Sequence, residues 1–332
     1  MSKAVTDLDV SVIIVSWNAR EFLMRCLASL YPGEGRRAKE IIVVDNGSAD
    51  GSPEAVETRF PEVRLIRNAE NFGFAKANNV GVGHSTGRYV CFINSDAEAI
   101  GDCIGQLVDY CESHLDVGMV GPRVTSRDGK LQRTCRGFPT VWNTLCRTLA
   151  LDTFFPKVKA FAGYSLAYWP QEELREVDII GGCFWLARRE AMNQVGLLDE
   201  RFFFYGEDMD WCKRQWAKGW KLVFVPNAQA IHYGGASSAN APVRFAVEMQ
   251  RADLQYWKKH HSMPGVACYY VLSCLNAILR AAGYGVALCF HKSERPAYRD
   301  KIEKNLACLG DLLGRRFPSE RPAVQRRKLA VG

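Results

Sequence analysis

The chain has 332 residues, 48% hydrophobic and 24% charged, which is enough apolar material for a large core and excludes a disordered or fibrous protein. Its net charge of +7 is unevenly placed: residues 295–332 carry ten Lys or Arg against four Asp or Glu, so the first 294 residues are nearly neutral. A neutral body with a basic end excludes a nucleic-acid-binding body and points to a surface-seeking tail.

Val10–Val15 is a β-branched run too short for a helix and typical of a strand buried on both faces. Phe22, Leu23, Cys26, Leu27 and Leu30 then form one helical stripe, which Pro32-Gly33 ends. Ile41–Val44 is a second strand, and Ser52-Pro53 opens a helix with Pro at its first position. Val63–Ile66 is a third strand, a helix runs from about Phe74 through Val82, and Tyr89–Ile93 is a fourth strand. This alternation predicts an α/β fold with a mainly parallel sheet and helices on both faces, in which ligands bind beyond the carboxyl ends of the strands.

Regularity breaks after Gly121-Pro122, and residues 126–176, with Pro139, Pro156 and Pro170, read as a long loop region with short helices, of the kind that serves as a lid or acceptor platform. A strand is expected over Val177–Leu186, helices from Arg189 and from Glu207, and a last strand over Lys221–Val225. The division expected is residues 1–240 for the α/β domain and 241–332 for a helical, basic extension. The twelve cysteines include no Cys-x-x-Cys pair and lie mostly in apolar runs (Cys91, Cys183, Cys289), so buried, reduced thiols in a reducing compartment are expected. The start of the chain, with Asp7 and Asp9 before the first strand, does not read as a secretory signal.

Four polar islands stand at or after the apolar runs. Asp45-Asn46-Gly47-Ser48 is good turn chemistry, and equally a fixed carboxylate that can accept the N3–H of a pyrimidine. In Asn94-Ser95-Asp96, the carboxylate either caps a helix or ligates Mg²⁺ or Mn²⁺ on a diphosphate. Glu207-Asp208-Met209-Asp210 suits a helix N-terminus, but three carboxylates in four residues repel more than capping requires. Asp208 shares a face with Trp211, Cys212 and Gln215, which aims it inward as a candidate general base. His232 is either a satisfied core residue or an imidazole ligand that favours Mn²⁺.

These residues resemble the family-2 glycosyltransferases, with a rhamnosyltransferase-like flavour. The resemblance rests on Val12–Asn18, Ile42–Ser48, Asn71–Asn79, Phe92–Asp96, Gly196–Glu200 and Gly206–Asp210, in the family's order from Val10 to Ser238. It implies a GT-A fold and inverting transfer of a sugar, with rhamnose as the expected sugar, from a nucleotide-diphospho-sugar to a hydroxyl on a glycan or lipid-linked glycan of the bacterial cell surface. It places Ser16, Trp17, Asn18, Asp45 and Asn46 on the nucleotide, Asn71, Gly73 and Asn78 around ribose or sugar, and Asn94, Ser95 and Asp96 at the diphosphate. Asp208, beside Glu207, matches the catalytic base; Asp96 and His232 match the ligands of a divalent metal, Mg²⁺ or Mn²⁺. The first position of the family's D-x-D motif is here Asn94, a weaker ligand than a carboxylate.

Gly182, Cys183 and Trp185 are the expected acceptor side, and Arg133 and Arg136 are either solvated or reach a diphosphate or an anionic lipid-linked acceptor. Residues 266–290 are long and apolar enough to span a bilayer, but Arg280, Gly283 and Gly285 interrupt them. Helices lying on the cytoplasmic membrane face are expected, with a buried dimer or core helix and a true span as alternatives. Two competing functions are a sugar nucleotidyltransferase, which wants a glycine-rich loop where Ser16–Ala19 stands, and a catalytically inactive binding relative.

Overall fold

The structure, a computed structural model, describes residues 9–31, 39–234 and 242–315. The chain's start, the helix stop at Pro32-Gly33 and the basic end beyond residue 315 lie outside the described residues. In chain order the elements are β1 (Val10–Ser16), α1 (Arg20–Leu30), β2 (Lys39–Asp45), α2 (Ser52–Arg59), β3 (Arg64–Arg67), α3 (Phe74–Gly83) and β4 (Tyr89–Asn94). There follow β5 (Ala97–Ile100), α4 (Cys103–Ser113), β6 (Val117–Thr125), β7 (Cys135–Arg136), α5 (Val141–Thr148), α6 (Leu151–Phe154), β8 (Arg175–Glu176) and β9 (Ile179–Ile180). The remainder are β10 (Phe184–Arg188), α7 (Arg189–Val195), α8 (Glu207–Ala217), β11 (Lys221–His232), α9 (Pro242–His260), α10 (Met263–Phe290) and α11 (Arg295–Leu312).

The main sheet has the order β3-β2-β1-β4-β10-β6-β11-β5, with β8 beside β11, and β7 pairs with β9 in a second small sheet. β3, β2, β1 and β4 run parallel, β10 is antiparallel to both its neighbours, and β11 is parallel to β6. The first strands are apolar without alternation because each face has its own core. Val12, Ile14, Ile41, Val43 and Cys91 pack with Leu23, Cys26 and Leu27 of α1 and with α4. Ile13, Ile42, Val44, Val90 and Phe92 belong to the other core, with Ala77 of α3, Trp185 and Trp211.

Several expectations are corrected. β6 continues through Gly121-Pro122 to Thr125. The strand expected over Val177–Leu186 is two strands in different sheets, parted at Gly181–Cys183. β11 extends seven residues past Val225, because a bulge between Val225 and Gln229 absorbs Pro226 and pairing with β6 then resumes. Among the cysteines, Cys91 is buried, Cys183 half-buried, and Cys289 exposed on α10.

The C-terminal helices are fastened to the α/β body. Lys259 and His260 of α9 reach Asp210 Oδ1 of α8 at 2.6 and 2.7 Å, Lys259 also reaches Asp199 Oδ2 at 2.7 Å, and Trp257 stacks on Tyr269 of α10. α10 is long and apolar enough to cross a membrane, yet only 6% of its most apolar window is buried.

Candidate active site

β1 and β2 end in register, with Ser16 opposite Asp45. The carboxylate of Asp45 accepts the Ser48 N–H on Oδ2 at 3.0 Å, while Oδ1 is buried without a partner among the described residues, as is Ser16 Oγ. The Asn18 N–H donates to Ser48 Oγ at 2.9 Å and Asn18 Oδ1 accepts the Ala49 N–H at 2.8 Å, so the loops after β1 and β2 are stitched into one rim. Trp17 is half-buried on that rim. Gly73, at φ +82°, opens α3 against the backbone of the segment leading into α8: an added Cβ would lie 2.4 Å from the Phe203 carbonyl oxygen.

Asn94 ends β4 and Asp96 lies in the turn into β5, and His232 closes β11 directly opposite Ala97. His232 Nε2 lies 3.2 Å from Asp96 Oδ1 and 3.5 Å from Asn94 Nδ2. The other ring nitrogen, Nδ1, is 2.9 Å from Gln132 Oε1, and Gln132 Nε2 donates to the His232 carbonyl at 2.6 Å. Because the Gln132 amide nitrogen is the donor, Oε1 must accept, and Nδ1 carries a proton. In the neutral ring Nε2 therefore turns a lone pair toward a carboxylate, a pairing that a cation bound between them would suit. Asn94 Oδ1 is also buried without a partner. One carboxylate, one imidazole and an adjacent amide oxygen fit a divalent ion that takes its remaining ligands from phosphate and water. Among the described residues no three His, Cys, Asp or Glu side chains form a complete cage.

Asp208 enters from the N-terminus of α8. Its Oδ2 accepts the Gly182 N–H at 3.0 Å and its Oδ1 the Met209 N–H at 2.7 Å, while the neighbouring Cys183 carbonyl accepts the Asn94 N–H at 2.9 Å. The Gly182-Cys183 dipeptide is thus bonded on one side to Asp208 and on the other to the strand end that carries Asp96. Burial, then the charges of Asp96 and Asp208, push the Cys183 thiol up to about 12, so both carboxylates bear on one atom. Glu207 is buried, with Oε2 unpartnered among the described residues; desolvation, then the Asp208 charge, hold its carboxyl well above the ordinary range. Asp210, fully buried, is bound by Arg214, Lys259 and His260 and belongs to the framework.

The model of the family described as Glycosyl transferase family 2 matches residues 11–196. The chain belongs to that family. This glycosyltransferase is 29% identical over 269 residues to the N-acetylglucosaminyl-diphospho-decaprenol L-rhamnosyltransferase of Mycobacterium tuberculosis, covering 78% of this chain and 86% of the relative. It is 26% identical over 228 residues to the low-salt glycan biosynthesis hexosyltransferase Agl10 of Haloferax volcanii, covering 68% and 67%. In fold it is similar to the mannosyltransferase PcManGT of Pyrobaculum calidifontis, solved in complex with GDP-Man and Mn2+, at TM-score 0.59 and 17% identity over 94% of this chain and 89% of that one. It is also similar to GalNAc-T7, solved with UDP, GalNAc and Mn2+, at TM-score 0.53 and 18% identity, covering 75% of this chain and half, 50%, of that one. The architecture is the GT-A fold: a mostly parallel α/β sheet, here with C-terminal helices.

In this glycosyltransferase three residues expected to touch ligands do not fit that role. Asn46 is 2% exposed and its amide is consumed by the chain, donating to Asn71 Oδ1 and the Gly73 carbonyl and accepting from Asn68 and the Phe72 N–H. Asn78, 1% exposed, donates to the Phe74 carbonyl of its own helix. Trp185 is fully buried in edge contact with Phe92 and Trp211, because its place on β10 faces the core and not the cleft. Arg133 donates to the Leu166 and Trp169 carbonyls and braces the loop region. Gln132 and Asn79 are functional neighbours that sequence reasoning missed. Asn79 clamps Leu198 through both main-chain groups and so sets the approach to α8. Gln132 sits in none of the matched segments and Asn79 only closes one, with no role assigned to it; the signal is in contacts across 100 residues or more.

Proposed function

We propose that this glycosyltransferase moves L-rhamnose from a nucleotide-diphospho-sugar to a hydroxyl of a sugar carried on a lipid diphosphate, with inversion at the anomeric carbon. The single observation that carries the reading is the Gly182-Cys183 bridge, which holds Asp208 on one side and the Asn94–Asp96 turn on the other. Among the described residues the buried Asp45 Oδ1 has no donor, and a pyrimidine N3–H is a donor of the missing kind. Asp96 and His232 would hold a divalent ion, with Gln132 orienting the imidazole; when bound, the ion supplies positive charge to neutralise the departing diphosphate.

Asp208, oriented by two main-chain N–H groups, accepts the proton of the acceptor hydroxyl as its oxygen attacks the anomeric carbon. The glycosidic C–O bond forms as the bond to the diphosphate oxygen breaks, and the electron pair leaves with the nucleoside diphosphate. Attack opposite the leaving group inverts the centre without a covalent enzyme intermediate. Burial, then the Asp208 charge, favour the protonated form of Glu207, which is sealed from the cleft that Asp208 faces.

The rhamnose and lipid-diphosphate assignments follow from the mycobacterial relative's name. The exposed apolar α10, together with the basic residues of α11, supports placement on the cytoplasmic membrane face. The test is a panel of UDP-, GDP- and dTDP-sugars with a diphospho-lipid N-acetylglucosamine acceptor, following nucleoside diphosphate release and the product's anomeric configuration. Rhamnosyl transfer with inversion is expected; transfer with retention, or no transfer from any donor, contradicts the proposal.

A further inference from the structure

Arg136 at the end of β7 and Arg147 in the last turn of α5 gather on one tyrosine. Their guanidinium carbons lie 6.0 and 4.8 Å from the ring centroid of Tyr164. Each guanidinium is held at the ring of the same tyrosine, which brings two positive charges to one place. Both side chains are exposed, and among the described residues neither forms a salt bridge. Arg280 Nη2 of α10 donates to the main-chain carbonyl of Arg147 at 3.2 Å, which ties α10 to the end of α5.

The position of the pair decides what the anion is. Arg136 pairs on β7 with Ile179 of β9, three residues before Gly182, whose N–H the proposed base Asp208 accepts at 3.0 Å, and the charge of Asp253 on α9 faces both arginines. On the other side, α5 packs on α10 through Thr148 Oγ1 and the Leu272 carbonyl, 3.3 Å apart. There Trp142, Leu149, Phe154, Leu275 and Leu279 are all exposed. The order along the surface is therefore base, paired arginines, apolar face. A molecule with a sugar hydroxyl, then phosphate, then a hydrocarbon chain has the same order.

We infer that Arg136 and Arg147 form the subsite for the diphosphate of a lipid-linked acceptor, whose hydrocarbon chain lies across the exposed apolar face of α5, α6 and α10. This rests on the proposed transfer to a lipid-diphosphate acceptor and adds the residues that would select for it. Guanidinium forks suit phosphate oxygens bidentately, which a lysine ammonium does not.

The test compares phytanyl diphospho-N-acetylglucosamine with the phosphate-free phytanyl N-acetylglucosaminide, as ligands of the full chain in neutral detergent. Wild type is expected to bind the diphospho lipid at least about tenfold more tightly, R136Q/R147Q to lose that preference, and R136K/R147K to recover part of it. Binding of UDP or dTDP with Mn2+ is expected to stay the same in all three. Equal affinity of wild type for the two lipids, or a preference that survives in R136Q/R147Q, overturns the subsite. A matching loss of nucleoside diphosphate affinity also overturns it, because the arginines would then serve the donor. Arginine-dependent binding of phosphatidylglycerol equal to that of the diphospho lipid overturns it as well, in favour of the membrane's own headgroups. Glycosyl transfer to both lipids at one rate refutes the subsite and leaves the glycosyltransferase reading standing; a diphosphate preference without any transfer does the reverse.

Discussion

At residue scale the site depends on side chains whose roles the environment assigns. Glu207 and Asp208 are adjacent carboxylates, and nothing in their order says which one is the base. Burial separates them: Glu207 is sealed, which pushes its carboxyl above the ordinary range, while Asp208 receives two main-chain donors. A carboxyl whose folded pKa is raised binds more protons than the unfolded chain, so its contribution to stability is present below the ordinary glutamate range and is lost as pH rises. E207Q should remove that loss, and the melting temperature of the variant should gain on wild type as pH rises above about 5; parallel melting curves across pH contradict this assignment. Gln132 is predicted to fix the proton on His232 Nδ1. Q132A should weaken Mn2+ binding, measured by titration with a nucleoside diphosphate present, by about 10–100-fold. An unchanged titration would mean that the imidazole needs no orienting partner. Asp96, Asp208 and His232 were legible from their islands, whereas Gln132 was not, because it meets His232 across 100 residues of chain.

At the scale of elements, the parallel strands were legible because both faces are buried and the apolar runs are continuous. β5 was not, since Ala-Glu-Ala-Ile lacks strand composition, and β11 was cut short because Pro226 hides the bulge that lets the strand reach His232. The coupling of α9 to α8 was equally hidden. Desolvation opposes the charge on Asp210, but hydrogen bonds from His260 and Lys259 outweigh it and hold the carboxyl below its ordinary value. That stabilisation is present above the ordinary aspartate range and is lost as pH falls through it. D210N should cost about 2–4 kcal/mol by urea unfolding, less than a fully broken buried pair because Lys259 keeps Asp199. A cost near zero would show that α9 is held by packing alone.

For the whole molecule, composition foretold a neutral α/β body with a basic, apolar end; the structure describes that end as far as residue 315 and sets α9–α11 against the body with the outer face of α10 exposed. Sequence periodicity left three readings of this helix open, because a surface helix, a core helix and a span share the same apolar content. Exposure of Val271 and Phe290 at 63% and 77% favours contact with lipid. V271E/F290E should weaken sedimentation with anionic vesicles by about tenfold or more without lowering the melting temperature. Vesicle binding equal to wild type would remove α10 from the membrane contact.

The account centres on Asp208 taking the acceptor's proton beside a metal-held donor. Steady-state transfer by D208N, with nucleotide-sugar affinity measured alongside, tests it most directly. Turnover is predicted to fall by about 10²–10⁴-fold with donor affinity kept. Near wild-type turnover in D208N would place the base elsewhere.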